Sequence, residues 1–234
     1  VYKRQVQDRA FPDDSVADPY ARNVSLLLHG DGSDSGTTFT DSSTYNNTVT
    51  PTGSSVQTKT AQKKFGTSSI YFPGGATSQY LKITNNPALA LGTGDFTIEF
   101  WIYLLATPSS SSAVLFGTSP EAAGTSTDLT CYIAYTSSNK ISLGSTAAGF
   151  NSYGSTNFST LNTWRHVAIT RSSGTINIYI DGVADTVTTS GTINISSGRF
   201  NIGLSGFTGD TTNGINDYID EFRVTKGVAR YTSN

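Results

Sequence analysis

The chain has 234 residues, a formal net charge of −2 and 14% charged residues, where an average domain carries about 25%. Hydroxyls replace the missing charge: 66 residues are Ser or Thr. This composition excludes a basic field for nucleic acid, a membrane span of roughly 18 apolar residues and a long helical bundle, since the strong helix formers are sparse.

Residues 1–22 differ from the rest. Their charges cancel, Pro12 and Pro19 interrupt them, and no apolar period appears. They read as an extended arm or linker, with Val6, Phe11 and Tyr20 as spaced apolar anchors. Lys3-Arg4 and Asp13-Asp14 supply both signs for contact with identical copies or other subunits, so the arm is the expected assembly element. The chain begins at Val1, contains no Met and shows no signal-peptide pattern. The expectation is a processed product or an interior piece of a longer reading frame.

Residues 23–234 read as one domain of short strands between Gly, Asn, Asp and Ser turns. Val24–Leu28 comes first, followed by Ser69–Phe72 and Tyr80–Ile83. Phe96–Tyr103 alternates: Phe96, Ile98, Phe100 and Ile102 share one face, and Thr97, Glu99, Trp101 and Tyr103 the other. Val114–Phe116, Leu129–Ala134 and Ile141–Leu143 follow. Trp164–Arg171 sets Val167 and Ile169 opposite Trp164, His166 and Thr170. Thr175–Ile180 turns Ile176, Ile178 and Ile180 inward and ends at Asp181-Gly182, a pair suited to a tight hairpin. Phe200–Leu204 and Tyr218–Val224 close the set. So many strands without a helical pattern predict an all-β antiparallel two-sheet sandwich. Its core is predicted to hold Phe96, Ile98, Phe100, Val167, Ile169, Ile176, Ile178 and Phe222.

Several segments, in order, resemble a known family. They are Leu26-Leu27-Leu28-His29-Gly30-Asp31-Gly32, Phe39-Thr40-Asp41-Ser42-Ser43, Lys64-Phe65-Gly66-Thr67-Ser68-Ser69-Ile70 and Gly94-Asp95-Phe96-Thr97-Ile98-Glu99-Phe100-Trp101. Trp164-Arg165-His166-Val167-Ala168-Ile169-Thr170-Arg171 and Tyr179-Ile180-Asp181-Gly182 follow. Tyr218-Ile219-Asp220-Glu221-Phe222-Arg223-Val224-Thr225-Lys226-Gly227-Val228-Ala229-Arg230-Tyr231 comes last. This order resembles the laminin-G-like, concanavalin A-like jelly-roll domain over residues 24–231. The opening and closing wording is similar to copies in tailed-phage virion proteins.

The fold implied by this resemblance also hosts glucanases. Their carboxylates stand on one strand as Glu-x-Asp-x-x-Glu or Glu-x-Asp-x-Glu. Here the glutamates are Glu99, Glu121 and Glu221, and none belongs to such a cluster. Glu99 and Glu221 are expected to pair with Arg165, Arg171 or Arg223 across the sheet. Cys131, the single cysteine, excludes an intrachain disulfide and sits in an apolar stretch as a buried thiol. His29 and His166 form no metal or triad spacing.

The face carrying Glu99, Trp101, Tyr103, His166, Thr170, Asn177 and Tyr179 admits two readings. A sugar ring stacks on aromatics while its hydroxyls meet polar groups, or the residues are cross-strand pairs of a curved sheet. One structural Ca²⁺ is the expected cofactor. Asp31, Asp34 and Asp41 are its candidate ligands near the start, with Asp220 added because the resemblance implies an ion between that region and the closing strand. The alternative is that these Asp residues are turn formers.

The first functional reading is a non-enzymatic structural or recognition module on a virion surface: a decoration, fibre or tail component that displays a glycan-binding surface. Nucleic acid and membrane are not among its expected partners; a cell-surface glycan is. A bacterial surface or secreted lectin-like adhesion domain is the alternative, and a glycan-degrading enzyme with an unusual site is the third.

Overall fold

A computed structural model describes residues 18–74, 79–108, 112–121, 129–189, 193–195, 198–205 and 214–232. The strands, in chain order, are β1 Val24–Leu28, β2 Val49–Thr52, β3 Gln57–Lys59, β4 Ser69–Pro73, β5 Tyr80–Ile83, β6 Phe96–Leu104, β7 Ser112–Ser119 and β8 Cys131–Thr136. Then come β9 Ile141–Ser145, β10 Phe150–Tyr153, β11 Trp164–Ser172, β12 Thr175–Ile180, β13 Val183–Thr189, β14 Arg199–Ile202 and β15 Asn216–Lys226.

They form two antiparallel sheets. Sheet 1 runs β13-β12-β11-β6-β15-β4-β3, with β1 also on β15; sheet 2 runs β10-β9-β8-β7-β14-β5-β2. This is the all-β jelly-roll sandwich expected from the strand pattern. The eight side chains assigned to the core are all fully buried within one continuous cluster between the sheets. β6 and β11 pair in the register that their alternation requires, Phe100 opposite Val167 and Ile98 opposite Ile169. Among the described residues no helix is long and apolar enough to cross a membrane.

Two local features position the site. The first is β15, which changes neighbour halfway. Asn216–Ile219 pair with β4, and Phe222–Thr225 pair with β1. Between them the register against β6 slips at Asp220–Arg223, and Glu221 takes φ 52°. Such a bulge re-aims side chains. The second is the hairpin between β12 and β13, where Asp181 (φ 52°) and Gly182 (φ 79°) occupy the left-handed region. Ala at Gly182 would meet the steric penalty of that region, about 1 to 2 kcal/mol. Urea unfolding of Gly182→Ala is therefore expected to show a loss of that size with an unchanged m-value.

The predicted arm requires a correction at its inner end. Asp18 is buried, and Ala21–Asn23 form a 3-10 turn leading into β1. Residues 18–22 thus pack on the sandwich, because Asp18 meets cations there. Residues 1–17, including Lys3-Arg4, Val6, Phe11 and Asp13-Asp14, lie outside the described residues.

Candidate functional site

β6 lies between β11 and β15, so its outward side chains stand in the middle of sheet 1. Glu99 is one of them. A lone carboxylate there needs cations and donors. Arg223, opposite it on β15, donates from Nε and Nη2 to Glu99 Oε1 at 2.9 and 2.7 Å. Tyr231 donates its hydroxyl to Oε2 at 2.6 Å, and His166 Nε2 lies 3.4 Å from the same oxygen. Arg230 bridges this group to the other end of the chain. Its Nη1 and Nη2 donate to Asp18 Oδ1 and Oδ2 at 3.1 and 2.8 Å, while its Nε lies 3.8 Å from Glu99 Oε1. Two carboxylates thus face two guanidiniums, and these four charges balance. Burial would raise the Glu99 carboxyl; Arg223, the His166 contact and Arg230 outweigh it and hold it well below the usual range. Burial and the adjacent Glu99 push the Tyr231 hydroxyl far up.

The backbone after β15 is tied down beside this network. Thr97 Oγ1 donates to Val228 O at 2.9 Å and accepts from Arg230 N at 2.9 Å. Thr170 Oγ1 donates to Tyr231 O at 3.1 Å. Elsewhere on this face, Lys64 places its ammonium 4.3 Å from the Trp101 ring centroid. The expected open glycan face is therefore a second, small core. Glu99, Trp101, His166, Thr170 and Tyr179 are buried, and of the residues proposed for it only Tyr103 and Asn177 keep partial exposure. Their alternation was read correctly, but Asp18, Arg230 and Tyr231 cover Glu99, His166 and Tyr179, and Lys64 and Phe65 cover Trp101.

The expected Glu99–Arg223 pair forms. The other pairings differ. Glu221, turned by the bulge, accepts from or donates to His29 Nδ1 at 2.7 Å according to the protons they carry. Arg165 pairs with Asp181, and Arg171 Nη1 donates to Ile193 O at 2.7 Å. Glu99 and Glu221 do not face each other as a catalytic pair. Cys131 is buried, and its thiol is pushed up to about 12 by burial.

The four Asp candidates for calcium are not brought together as one group, though Asp31 is near enough to Asp220 to act on its carboxyl. Asp41 is a turn former: it accepts from the N–H groups of Leu27, Ser43 and Asn47, from the Ser43 hydroxyl and from the Asn47 amide. Asp34 is exposed and accepts from Thr60 N and Oγ1. Asp31 caps Thr67 through its N–H and hydroxyl. Asp220 is fully buried; its Oδ2 accepts from Lys64 N at 2.7 Å and Phe65 N at 3.1 Å. Its Oδ1 has no hydrogen-bond partner. Burial pushes this carboxyl up to about 7 against those two N–H donors, with Glu221 and Asp31 adding to the rise. Among the described residues no three His, Cys, Asp or Glu side chains are grouped to hold a metal ion. Beside Asp31 a cavity of about 190 Å³ is lined by Leu28, His29, Phe39, Thr40, Ser42 and Ile70. The alternation of β6 signalled that Glu99 needed partners, but nothing local in the sequence linked it to Asp18 and Tyr231.

Solved structures with the same architecture include toxin domains and a sialidase. The binding domain of Paraclostridial Mosquitocidal Protein 1 superposes with a TM-score of 0.61 at 18% identity, over 89% of this chain and 50% of that one. A structure of botulinum neurotoxin type C, whose cell entry depends on interaction with two ganglioside molecules, gives 0.63 at 20%, over 92% and 50%. Trypanosoma rangeli sialidase gives 0.62 at 14%, over 98% and 36%. The chain thus spans half or less of each of these proteins, and the likeness is one of fold. No curated protein sequence matches it. The family profile Laminin_G_3 matches residues 74–230, more than half of the chain. The chain belongs to the concanavalin A-like lectin/glucanases superfamily.

Proposed function

We propose that this chain is a non-enzymatic recognition module, carried on a virion as a decoration, fibre or tail component, that binds cell-surface glycan. The observation that carries the non-enzymatic reading is the engagement of all three glutamates. Glu99 is enclosed by Arg223, Arg230 and Tyr231, Glu221 is held by His29, and Glu121 meets Lys82 at 3.4 Å. A retaining glycosidase needs two accessible carboxyls about 5 to 5.5 Å apart. The virion reading rests on the phage-like wording of the opening and closing segments and on the Ser/Thr-rich, weakly charged composition. Weak binding per copy is strengthened by many copies.

Mass spectrometry of purified particles is expected to find the chain in many copies, and incubation with polysaccharides to release no reducing sugar. Particles lacking it would leave the bacterial-surface adhesion domain in its place. Sugar release that Glu99→Gln or Glu221→Gln abolishes would make it an enzyme.

The same body is proposed to take one structural Ca²⁺ at Asp31 and Asp220, where the unpartnered Asp220 Oδ1 supplies a free oxygen. Backbone carbonyls and water would complete the six to eight oxygens that the ion takes. Calcium is expected to raise the melting temperature by mass action, and Asp220→Asn to remove the effect. Identical melting in calcium and in excess chelator would refute the site.

A further inference from the structure

The outer face of sheet 1 is buried around Glu99; the outer face of sheet 2 carries a different arrangement. One row crosses its outer face in register: Asn151 on β10, Gly144 on β9, Tyr132 on β8, Gly117 on β7, Asn201 on β14 and Lys82 on β5. Their strand neighbours Leu143, Ile133, Phe116 and Phe200 belong to the core, so the row points away from it.

The arrangement around Gly144 is specific. A β-carbon there would come within 2.4 Å of the Tyr132 Cζ and hydroxyl oxygen. The Tyr132 ring therefore crosses β9 towards β10, through space that only glycine leaves. On β10, Tyr153 stands two residues from Asn151 on the same face and is 56% exposed. Asn151 Nδ2 donates to the Tyr153 hydroxyl at 2.8 Å. The two phenols are near enough that Tyr153 adds to the rise which burial gives Tyr132. The strand beneath them is anchored just beyond Tyr153: Asp185 accepts from Ser155 N at 2.8 Å, Thr156 N at 2.9 Å and the Ser155 hydroxyl at 2.6 Å.

The chemistry of this patch selects its occupant. Tyr153 is one of three exposed large hydrophobic side chains among the described residues, with Tyr45 and Val183. Within the row the first charge is Lys82, three strands from Tyr132 and roughly 14 Å away; beside the row, Lys140 in the β8–β9 turn donates its ammonium to Ser155 O, two residues beyond Tyr153. Two aromatic side chains and the exposed Asn151 amide match a pyranose, which has apolar C–H faces and a rim of hydroxyls. We propose that the β8–β10 end of sheet 2 is a glycan-binding patch, with Tyr132 and Tyr153 as stacking platforms and Asn151 as the hydrogen-bonding group between them. This rests on the recognition reading above and gives it a place.

The test uses the full 234-residue chain on a printed array of neutral and sialylated oligosaccharides, then calorimetric titration with the best-bound member. Tyr132→Ala and Tyr153→Ala are expected to lower its affinity at least tenfold. Gly144→Ala is expected to do the same while melting near wild type, since its methyl displaces only the end of a flexible ring. Tyr132→Phe keeps the platform and most of the affinity. Tyr45→Ala, at another exposed tyrosine, keeps all of it. Wild-type affinity in Tyr132→Ala, Tyr153→Ala and Gly144→Ala together would overturn this placement and leave glycan recognition standing. An array on which the wild-type chain binds nothing would overturn both.

Discussion

Glu99→Ala is expected to destabilise the protein by about 3 to 5 kcal/mol, the range found when one partner of a buried ion pair is removed. The variant leaves Arg223 and Arg230 facing each other with Asp18 as the only carboxylate of the network. It also strands the Tyr231 hydroxyl that Glu99 accepts from. Glu99→Gln is expected to lose nearly as much, because the charge rather than the shape balances the guanidiniums. Glu121→Ala is the control: its pairs with Lys82 and Arg199 are half exposed, and such pairs contribute about 1 kcal/mol or less. The pH dependence has a definite sign. A carboxyl held below its unfolded value contributes stability that is present above the unfolded pKa and is lost as pH falls through the folded one. The acid limb of stability should therefore be shallower in both Glu99 variants. Urea midpoints between pH 2 and 7 measure this. A loss below 1 kcal/mol for Glu99→Ala would mean that the carboxylate does not hold the chain ends together.

The same network explains what the sequence made legible. Alternation on β6 is a local signal, so the inward set Phe96, Ile98, Phe100 and Ile102 was readable, and so was the fact that Glu99 and Trp101 stand opposite. Whether that second face is wet depends on residues more than 80 positions before Glu99 and 130 positions after it, namely Asp18 and Arg230. No period records such a contact. The strands that escaped reading were β2, β3, β10 and β13, which end the two sheet paths; β1, whose only partner is β15, is also a single-neighbour strand but is fully buried and was readable. An edge strand has one neighbour and buries less, so it does not need the apolar alternation that marks a central strand. β2 contains Pro51, which an edge tolerates because one side of its backbone needs no partner. Edge strand β10 was not read, and it carries Tyr153 and Asn151. For Asp41 the sequence left two readings open, calcium ligand and turn former, and its turn takes the second.

Asp217 supplies the second large effect, and it runs with the opposite sign. It is 3% exposed, it accepts from Leu105 N at 2.8 Å, and among the described residues no cation pairs with it. Burial pushes its carboxyl up to about 8 from 3.8, with the Leu105 N–H pulling the other way. The unfolded chain gives up this proton near pH 4, while the folded chain keeps it to about pH 8. Folding therefore weakens steadily as pH rises across that window and levels off above it. At about 1.4 kcal/mol per pH unit, the full window amounts to on the order of 5 kcal/mol. Asp217→Asn keeps an oxygen for the Leu105 N–H and has no proton to lose. It should match wild type at pH 4 and exceed it by several kcal/mol at pH 8. Asp220, also raised by burial, has the same sign, so the variant should retain a smaller decline, and calcium should reduce that remainder if the ion sits on Asp220. Urea midpoints at pH 4, 6 and 8 decide the matter. Parallel curves for wild type and Asp217→Asn would mean that the carboxyl is ionised in the folded protein and that the start of β15 is open to water.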